Sequence, residues 1–339
     1  MIYLLLIILN LVLLFSFTKI TKIINIYDKP DGKLKVHSKR MPLVGGVFLF
    51  INFVLICFLQ LTFLEEFLIL KKFYFQKNEL VSLCIFILAF FILGLYDDKF
   101  KVNPYIKLLL IVLLSIFVLS INQNLVVENF SLSFYADRIF LNNFSFFFTI
   151  FCILILLNAL NFYDGINGQS GIFYIFVFSF LYYVSHFNDF YLNLILILLF
   201  ILILNLKNKL FFGDSGIYLI SSILIISLIY EYNFTKNIVY ADEIFYLFLL
   251  PGFDLIRLTF QRIVLKKNIL FGDRNHLHHL LVKRGSLINA NLILFGLSAF
   301  PILAFSYIKI NFYMILVIFL ILYFSLLLIL DKMYVKKFK

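Results

Sequence analysis

Residues 190–206 read FYLNLILILLFILILNL, seventeen residues without a charged side chain. A helix needs about 20 predominantly apolar residues to cross roughly 30 Å of hydrocarbon, and a buried strand rarely exceeds about eight. The run therefore reads as a membrane span. The rest of the chain agrees with it. Of 339 residues, 63% are hydrophobic and 14% are charged, against about 45–50% and about 25% in soluble domains. That composition excludes a water-soluble globule, whose surface could not be covered, and a disordered chain, which needs low hydrophobicity. Apolar runs bounded by charged or turn-rich breaks lie near 2–18, 43–63, 80–96, 106–121, 144–160, 171–187, 190–206, 214–230, 239–256, 288–308 and 311–331. The expected fold is an all-α polytopic membrane protein of about eleven transmembrane helices, with residues 1–339 forming one multi-spanning domain. The first run lacks a basic leader and a small-residue cleavage site, so it is expected to be a retained span.

The net charge of +11 would suggest nucleic acid in a soluble protein. Here no nucleic-acid partner is expected, because the basic residues must sit in loops and orient the chain. With eleven spans, 23 of the 29 Lys and Arg fall on one face, in loops 19–42, 97–107, 205–213 and 254–287 and the tail 332–339. That face is expected to be cytoplasmic, with the N-terminus outside and the C-terminus inside. The three cysteines, Cys57, Cys84 and Cys152, lie in apolar runs, and no disulfide is expected. A homodimer is left open.

The acidic residues are sorted by type. All six glutamates fall outside, whereas nine aspartates, Asp28, Asp31, Asp97, Asp98, Asp164, Asp214, Asp254, Asp273 and Asp331, fall on the inner face. Short carboxylates gathered at one membrane surface, several beside glycine, suggest a metal-phosphate site, since Mg²⁺ is typically held by one or two carboxylates plus substrate phosphates. For Asp28, Asp254 and Asp331 the expected role is helix capping or dipole matching.

Five inner-face segments carry the chemistry. YDKPDGKLKVHSKRMPLVGG, 27–46, is an irregular loop with cationic donors Lys33, Lys35, His37, Lys39 and Arg40. In GLYDDKFKVNPYIK, 94–107, adjacent Asp97 and Asp98 are tolerable beside a cation, and Lys107 opens the returning helix. NALNFYDGINGQSG, 158–171, sets Asn158, Asn161, Asp164 and Asn167 at every third position with glycines interleaved, which permits close ligand approach. In FFGDSG, 211–216, Asp214 lies at the start of a span and Phe211 could stack on a base. FGDRNHLHHLLVKRG, 271–285, holds Arg274, His276, His278 and His279; with His276 and His279 on one helix face and no cysteine near, phosphate or sugar binding is favoured over zinc.

These segments, in this order, resemble the polyprenyl-phosphate N-acetylhexosamine-1-phosphate transferases, which include WecA-type enzymes, the MraY translocase and the dolichol-phosphate GlcNAc-1-phosphate transferase. The pattern D-x-P-D-x-x-R-K-x-H then P-L-x-G-G is matched at Asp28, Pro30, Asp31, Lys35, His37, Pro42, Leu43, Gly45 and Gly46, with Leu34 in place of the arginine. N-x-x-N-x-x-D-G is matched at Asn158, Asn161, Asp164 and Gly165, F-x-G-D-x-G at Phe211, Gly213, Asp214 and Gly216, and H-x-H-H at His276, His278 and His279. Gln169, Ser170 and Ile217 depart from WecA-type members, and the histidine motif departs from the MraY type.

The resemblance implies transfer of HexNAc-1-phosphate, GlcNAc-1-phosphate first among the choices, from a UDP-sugar to undecaprenyl phosphate, releasing UMP at a bacterial inner membrane. It further implies Mg²⁺ or Mn²⁺ on Asp214 and Asn161, with Asp97, Asp98 and Lys107 as the catalytic group. Lys107 would hold the lipid phosphate. Asp164, Asn167 and Phe211 would hold the uridine, Arg274 with His276, His278 and His279 the diphosphate and sugar, and Lys35 and His37 would also bind substrate.

Overall fold

The structure is a computed structural model that describes residues 2–30, 39–62, 77–186, 188–269 and 274–336. Lys35 and His37 of the site, with Asp31 and Asp273, lie outside the described residues. The elements are α1 (Ile2–Phe15), α2 (Phe17–Ile24), β1 (Tyr27–Asp28), β2 (Met41–Pro42), α3 (Gly45–Thr62), α4 (Lys77–Phe100) and α5 (Pro104–Ile121). Then follow β3 (Asn129–Leu132), β4 (Tyr135–Phe140), α6 (Ser145–Tyr163), α7 (Gln169–Val184), α8 (Asp189–Leu206) and α9 (Gly213–Asn233). The chain ends with α10 (Ala241–Leu247), α11 (Leu249–Val264), α12 (Leu277–Arg284), α13 (Leu287–Ser306) and α14 (Phe312–Lys336).

The protein is mostly helical. Among the described residues, six helices are long and apolar enough to cross a membrane, or seven if the α1–α2 pair, bent by 68°, is one span. The chain is a multi-pass membrane protein. Burial sorts its helices. The apolar window of α9 is 94% buried, whereas those of α5 and α14 are 22% buried. The former is a core helix, and the latter two present apolar side chains outward, as lipid requires. Ser215, Ser221, Ser222 and Ser227 of α9 are all buried. Ser221 Oγ meets Tyr174 Oη at 2.7 Å, and Ser222 and Ser227 donate back to Leu219 O and Ile223 O. Polar side chains in an apolar helix thus find partners inside the protein.

Two strand pairs and one helix break depart from the reading of uninterrupted helices; in the first, β1 runs antiparallel to β2, Tyr27 opposite Pro42 and Asp28 opposite Met41. Residues 129–140 form an antiparallel hairpin, β3 with β4, in which Asn129 pairs with Phe140 and Leu132 with Tyr135. The alternation Phe130-Ser131-Leu132-Ser133-Phe134 is its strand signal. The run at 239–256 is not one continuous helix: it breaks at Phe248 between α10 and α11. Asp242 and Glu243 belong to the first turn of α10, and Glu243 Oε1 accepts from the backbone N–H of Val239 (2.9 Å) and Tyr240 (3.0 Å). Pro251 lies in the first turn of α11, where its missing N–H costs no intrahelical bond.

The chain divides into two compact units. The first holds Met1–Val126 and Tyr174–Tyr230, the second Val127–Phe173 and Glu231–Lys339. In the first, α3 packs against α1 and α8, and α4 against α5; Asn52 Nδ2 donates to Asn10 Oδ1 at 3.0 Å across the buried α1–α3 contact. In the second, α6 packs against α11, and α12 against α13 and α14. Each unit carries its own share of the motif residues.

Candidate active site

In the first unit the acidic pair ends one helix and the lysine begins the next. Asp97 and Asp98 lie in the last turn of α4, and Lys107 in the first turn of α5. Pro104 at the start of α5 and Asn103, which accepts from Tyr105 N at 3.0 Å, define a tight return. Lys107 Nζ donates to Asp97 Oδ2 at 2.5 Å and to Asp214 Oδ2 at 2.6 Å. Asp97 Oδ1 accepts from Val102 N at 2.7 Å. The pair has divided labour. Asp98 is buried and faces the start of α9, where Oδ1 accepts from Asp214 N (2.8 Å) and Oδ2 from Ser215 N (3.0 Å) and Ser215 Oγ (2.7 Å). It satisfies amides that a helix N-terminus leaves without intrahelical partners, and so places Asp214.

The end of the first motif joins the same place. Leu43 bridges to Phe211 in parallel, Phe211 N donates to Pro42 O, and the N–H groups of Gly45 and Gly46 donate to the carbonyls of Phe211 and Phe212, each at 3.0 Å. A Cβ on Gly46 would strike Gly216 N and Ser215 Oγ. The glycine pair is therefore what lets α3 reach the FFGDSG turn. Phe211 itself is half-buried.

Two carboxylates share one ammonium here. The side chains of Lys107 and Asp97 are 13% and 9% exposed and that of Asp214 is 32% exposed, so Asp214 is the carboxylate with an open side. Asp97 and Asp214 converge on a single cationic point, and both offer hard oxygen. That donor set fits Mg²⁺, which needs few protein carboxylates when phosphates complete its shell. Among the described residues, no group of three or more His, Cys, Asp or Glu could hold a metal without such help.

The second unit gathers the third and fifth motifs. Asn158 and Asn161 lie on the last turns of α6, and Asp164 is its C-terminal cap. Asn158 Nδ2 returns to Leu154 O at 2.7 Å, and Asn167 O accepts from Asn291 Nδ2 at 2.8 Å. His276 is not within a helix. It precedes α12 as the cap residue, with φ −58° and ψ 144°. The expected pairing of His276 with His279 on one helix face is thus corrected: His276 stacks on His278, centroids 5.2 Å apart and planes at 13°, and His279 meets it edge-on at 6.5 Å. Phe162 of α6 stacks on His276 at 5.8 Å. Gln169 Nε2 lies 3.4 Å from His278 Nδ1, while the buried Gln169 Oε1 and Ser170 Oγ have no hydrogen-bond partner among the described residues. Arg274 is exposed beside them in sequence.

Asp254, expected to cap a helix, does not cap its own, although Oδ2 accepts at 3.4 Å from Leu277 N, the first residue of α12. It lies inside α11 and binds Arg257, Tyr323 and His276. Neither Arg257 nor Tyr323 stands in any of the five segments. No spacing rule links residues 69 positions apart, so the sequence held no signal for the contact between Asp254 and Tyr323.

Gly165 meets the His278 ring so closely that a Cβ there would overlap Nε2. Gly165→Ala is expected to push the imidazole aside and lower activity at least ten-fold with the protein still folded, measured as kcat/KM for the donor. An alanine variant of parental activity would show that the ring is free to move. Burial, with the neighbouring His279 and His276, holds the His278 imidazole well below its ordinary range. Unfolded, it takes up a proton near pH 6.5; folded, it does not. Stability is therefore full above about pH 6.5 and falls as the pH drops below it. The thermal midpoint of detergent-solubilised protein should decline between about pH 6.5 and 5, and His278→Gln should flatten the decline. An identical slope in both proteins would refute this.

Comparison with known proteins bears on both clusters. Residues 80–231 match the family model for glycosyl transferase family 4. The chain is 25% identical to the undecaprenyl-phosphate alpha-N-acetylglucosaminyl 1-phosphate transferase of Escherichia coli strain K12, over 84% of this chain and 77% of the relative. It is 26% identical to the probable undecaprenyl-phosphate N-acetylglucosaminyl 1-phosphate transferase of Bacillus subtilis strain 168, over 76% and 70%. For the Yersinia pestis enzyme of the same name as the Escherichia coli one, the identity is 25% over 86% and 78%. The acidic pair, the lysine and the turn they hold all fall inside the matched segment, in agreement with the order of motifs along the chain, and the protein is thus a multi-pass membrane enzyme that is similar over most of its length to undecaprenyl-phosphate N-acetylglucosaminyl 1-phosphate transferases.

Proposed function

We propose that this enzyme transfers a HexNAc-1-phosphate, GlcNAc-1-phosphate first among them, from a UDP-sugar to undecaprenyl phosphate at the cytoplasmic face of a bacterial inner membrane. UMP is released, and the product starts a lipid-linked cell-envelope glycan. The observation that carries the reading is the Lys107–Asp97–Asp214 cluster at the joined ends of α4, α5 and α9, held in place by Asp98. One ammonium and two carboxylates at the ends of apolar helices support a reaction at the level of a lipid head group.

An oxygen of the lipid phosphate attacks the β-phosphorus of the donor, and the bond from that phosphorus to the bridging oxygen breaks, so UMP leaves with the electron pair. A phosphate monoester has a second pKa near 6 and is already nucleophilic, so the protein's work is positioning and charge neutralisation. Lys107 binds the acceptor phosphate. Asp97 orients the lysine and takes the last phosphate proton where one remains. Asp98 holds the turn that presents Asp214. Asp214 would hold Mg²⁺ or Mn²⁺, which would supply charge neutralisation on the diphosphate; Asn161 is the second ligand the family resemblance implies. Asp164, Asn167 and Phe211 bind uridine, and Arg274 with the histidines binds diphosphate and sugar.

The test is incubation of detergent-purified protein with radiolabelled UDP-GlcNAc and undecaprenyl phosphate. Label should move into an extractable lipid with stoichiometric UMP. Absence of lipid label across a panel of UDP-HexNAc donors would overturn the reading. The eleven-span topology with its external N-terminus is part of the proposal, supported by the 23-of-29 basic bias. A reporter fused after Lys339 should be active only if it works in the cytoplasm, and a periplasm-active fusion there would refute it.

A further inference from the structure

Asp254 is the sixth residue of α11, beyond the first turn whose free amides a carboxylate could cap. It is 5% exposed, and its two oxygens serve different partners. Oδ1 accepts from Tyr323 Oη at 2.5 Å and from Arg257 at 2.8 Å (Nη2) and 3.3 Å (Nε). Oδ2 lies 3.0 Å from His276 Nδ1 and accepts from Leu277 N at 3.4 Å. Arg257 Nε also donates to Tyr323 Oη at 2.7 Å, and Nη2 to Asn275 O at 2.8 Å, so the backbone entering His276 is pinned by the same guanidinium. A buried Asp–Arg pair needs no histidine to be satisfied. Here one carboxylate oxygen is given over to an imidazole that is already clamped between Phe162 and His278.

A carboxylate only accepts, so the proton between Asp254 and His276 sits on Nδ1. The ring plane is set by the two stacked neighbours, which leaves Nε2 as the nitrogen that can meet a ligand. We infer that Asp254 is a positioning residue of the donor site, holding His276 with Nδ1 as donor so that Nε2 is presented as an acceptor to a sugar hydroxyl of the UDP-sugar. The inference rests on the function proposed above and deepens it, since His276 binds the donor in that reading.

The chemistry of the site makes one substitution informative. Arg257 has only donors to offer, so in Asp254→Asn the amide oxygen turns to Arg257 and Tyr323 and the amide NH₂ faces His276. That forces Nδ1 to accept and moves the proton to Nε2. The side-chain volume is nearly unchanged. Full-length protein in detergent is compared as parent, Asp254→Asn, His276→Gln and the double variant, with kcat and KM measured for both substrates. Asp254→Asn is expected to lower kcat/KM for UDP-GlcNAc about ten- to hundred-fold, with the KM for undecaprenyl phosphate unchanged. In the His276→Gln background the same change should cost less than about two-fold, because its target is gone. An equal loss in both backgrounds, or a loss that falls on the acceptor KM, would overturn the inference and leave Asp254 a structural residue. Should Asp254→Asn not purify as a folded protein, the cycle is run with Asp254→Glu, whose charge should keep most of the donor kcat/KM that the His276-dependent contact supplies; a glutamate variant with equal losses in both backgrounds overturns it likewise. Failure of the parent protein to use any UDP-HexNAc would bring down the proposed function itself, which is a separate reading from the cycle.

Discussion

Asp214→Ala leaves transfer below about one-thousandth of the parental rate while the protein still folds. Removing one preorganised electrostatic group from a site of developing charge typically costs 10²- to 10³-fold, and loss of the metal that Asp214 is proposed to hold adds to that. The fold tolerates the change because the Asp214 side chain is a third exposed and Lys107 keeps Asp97 as its partner. The check is the lipid-labelling assay beside a thermal melt. Excess EDTA should silence the parent enzyme, and Mg²⁺ or Mn²⁺ should restore it. A rate within ten-fold of the parent, or full activity in EDTA, would remove the metal from the mechanism. Asp98→Asn should behave differently, since it strands a donor among the amides of Asp214 and Ser215 and costs stability first.

Lys107→Ala has the second largest effect, and it acts on two properties. The ammonium is the partner of both Asp97 and Asp214. Removing one member of a buried ion pair costs about 3–5 kcal/mol, because the remaining charge stays buried. The same change removes the charge-assisted contact proposed for the acceptor phosphate, and the apparent affinity for undecaprenyl phosphate should fall about ten- to hundred-fold. UDP-sugar affinity should change little. Millimolar Mg²⁺ should recover part of the lost thermal stability, since it can occupy the space between the two carboxylates. Lys107→Arg keeps the charge but spreads it over a planar fork, and should restore stability better than turnover. A collapse of donor binding with unchanged acceptor affinity would transfer the lysine to the other substrate.

Much of this was readable one residue at a time. The apolar runs announced helices because a membrane leaves a spanning backbone little choice, and α5, α8, α9, α13 and α14 fall where the runs fell. The meeting of Lys107 with Asp97 followed from a short return between two helices. The break at Phe248 was harder to see: Asp242, Glu243 and Pro251 are helix-start residues, but they sit in a run apolar enough to pass for one span. The hairpin at 129–140 escaped for a related reason, since an alternation of five residues is easily lost among long apolar stretches.

What the sequence determined by itself was the solvent and the chemistry. A chain this apolar belongs in lipid, and aspartates, glycines and histidines at the ends of its runs point to phosphate as the proposed ligand. What only the tertiary structure decided was which of those residues act on one another. Asp97 and Asp98 are neighbours in sequence, yet one turns to Lys107 and the other to the amides of Asp214 and Ser215. Asp254 and Tyr323 are 69 residues apart, yet Tyr323 Oη donates to Asp254 Oδ1 at 2.5 Å, while His276, which no helix contains, takes the other oxygen of the same carboxylate. A helix period orders side chains along its own axis for a few turns; the direction a carboxylate faces at a crossing of helices is set by packing between segments remote in the chain, and no local pattern encodes it.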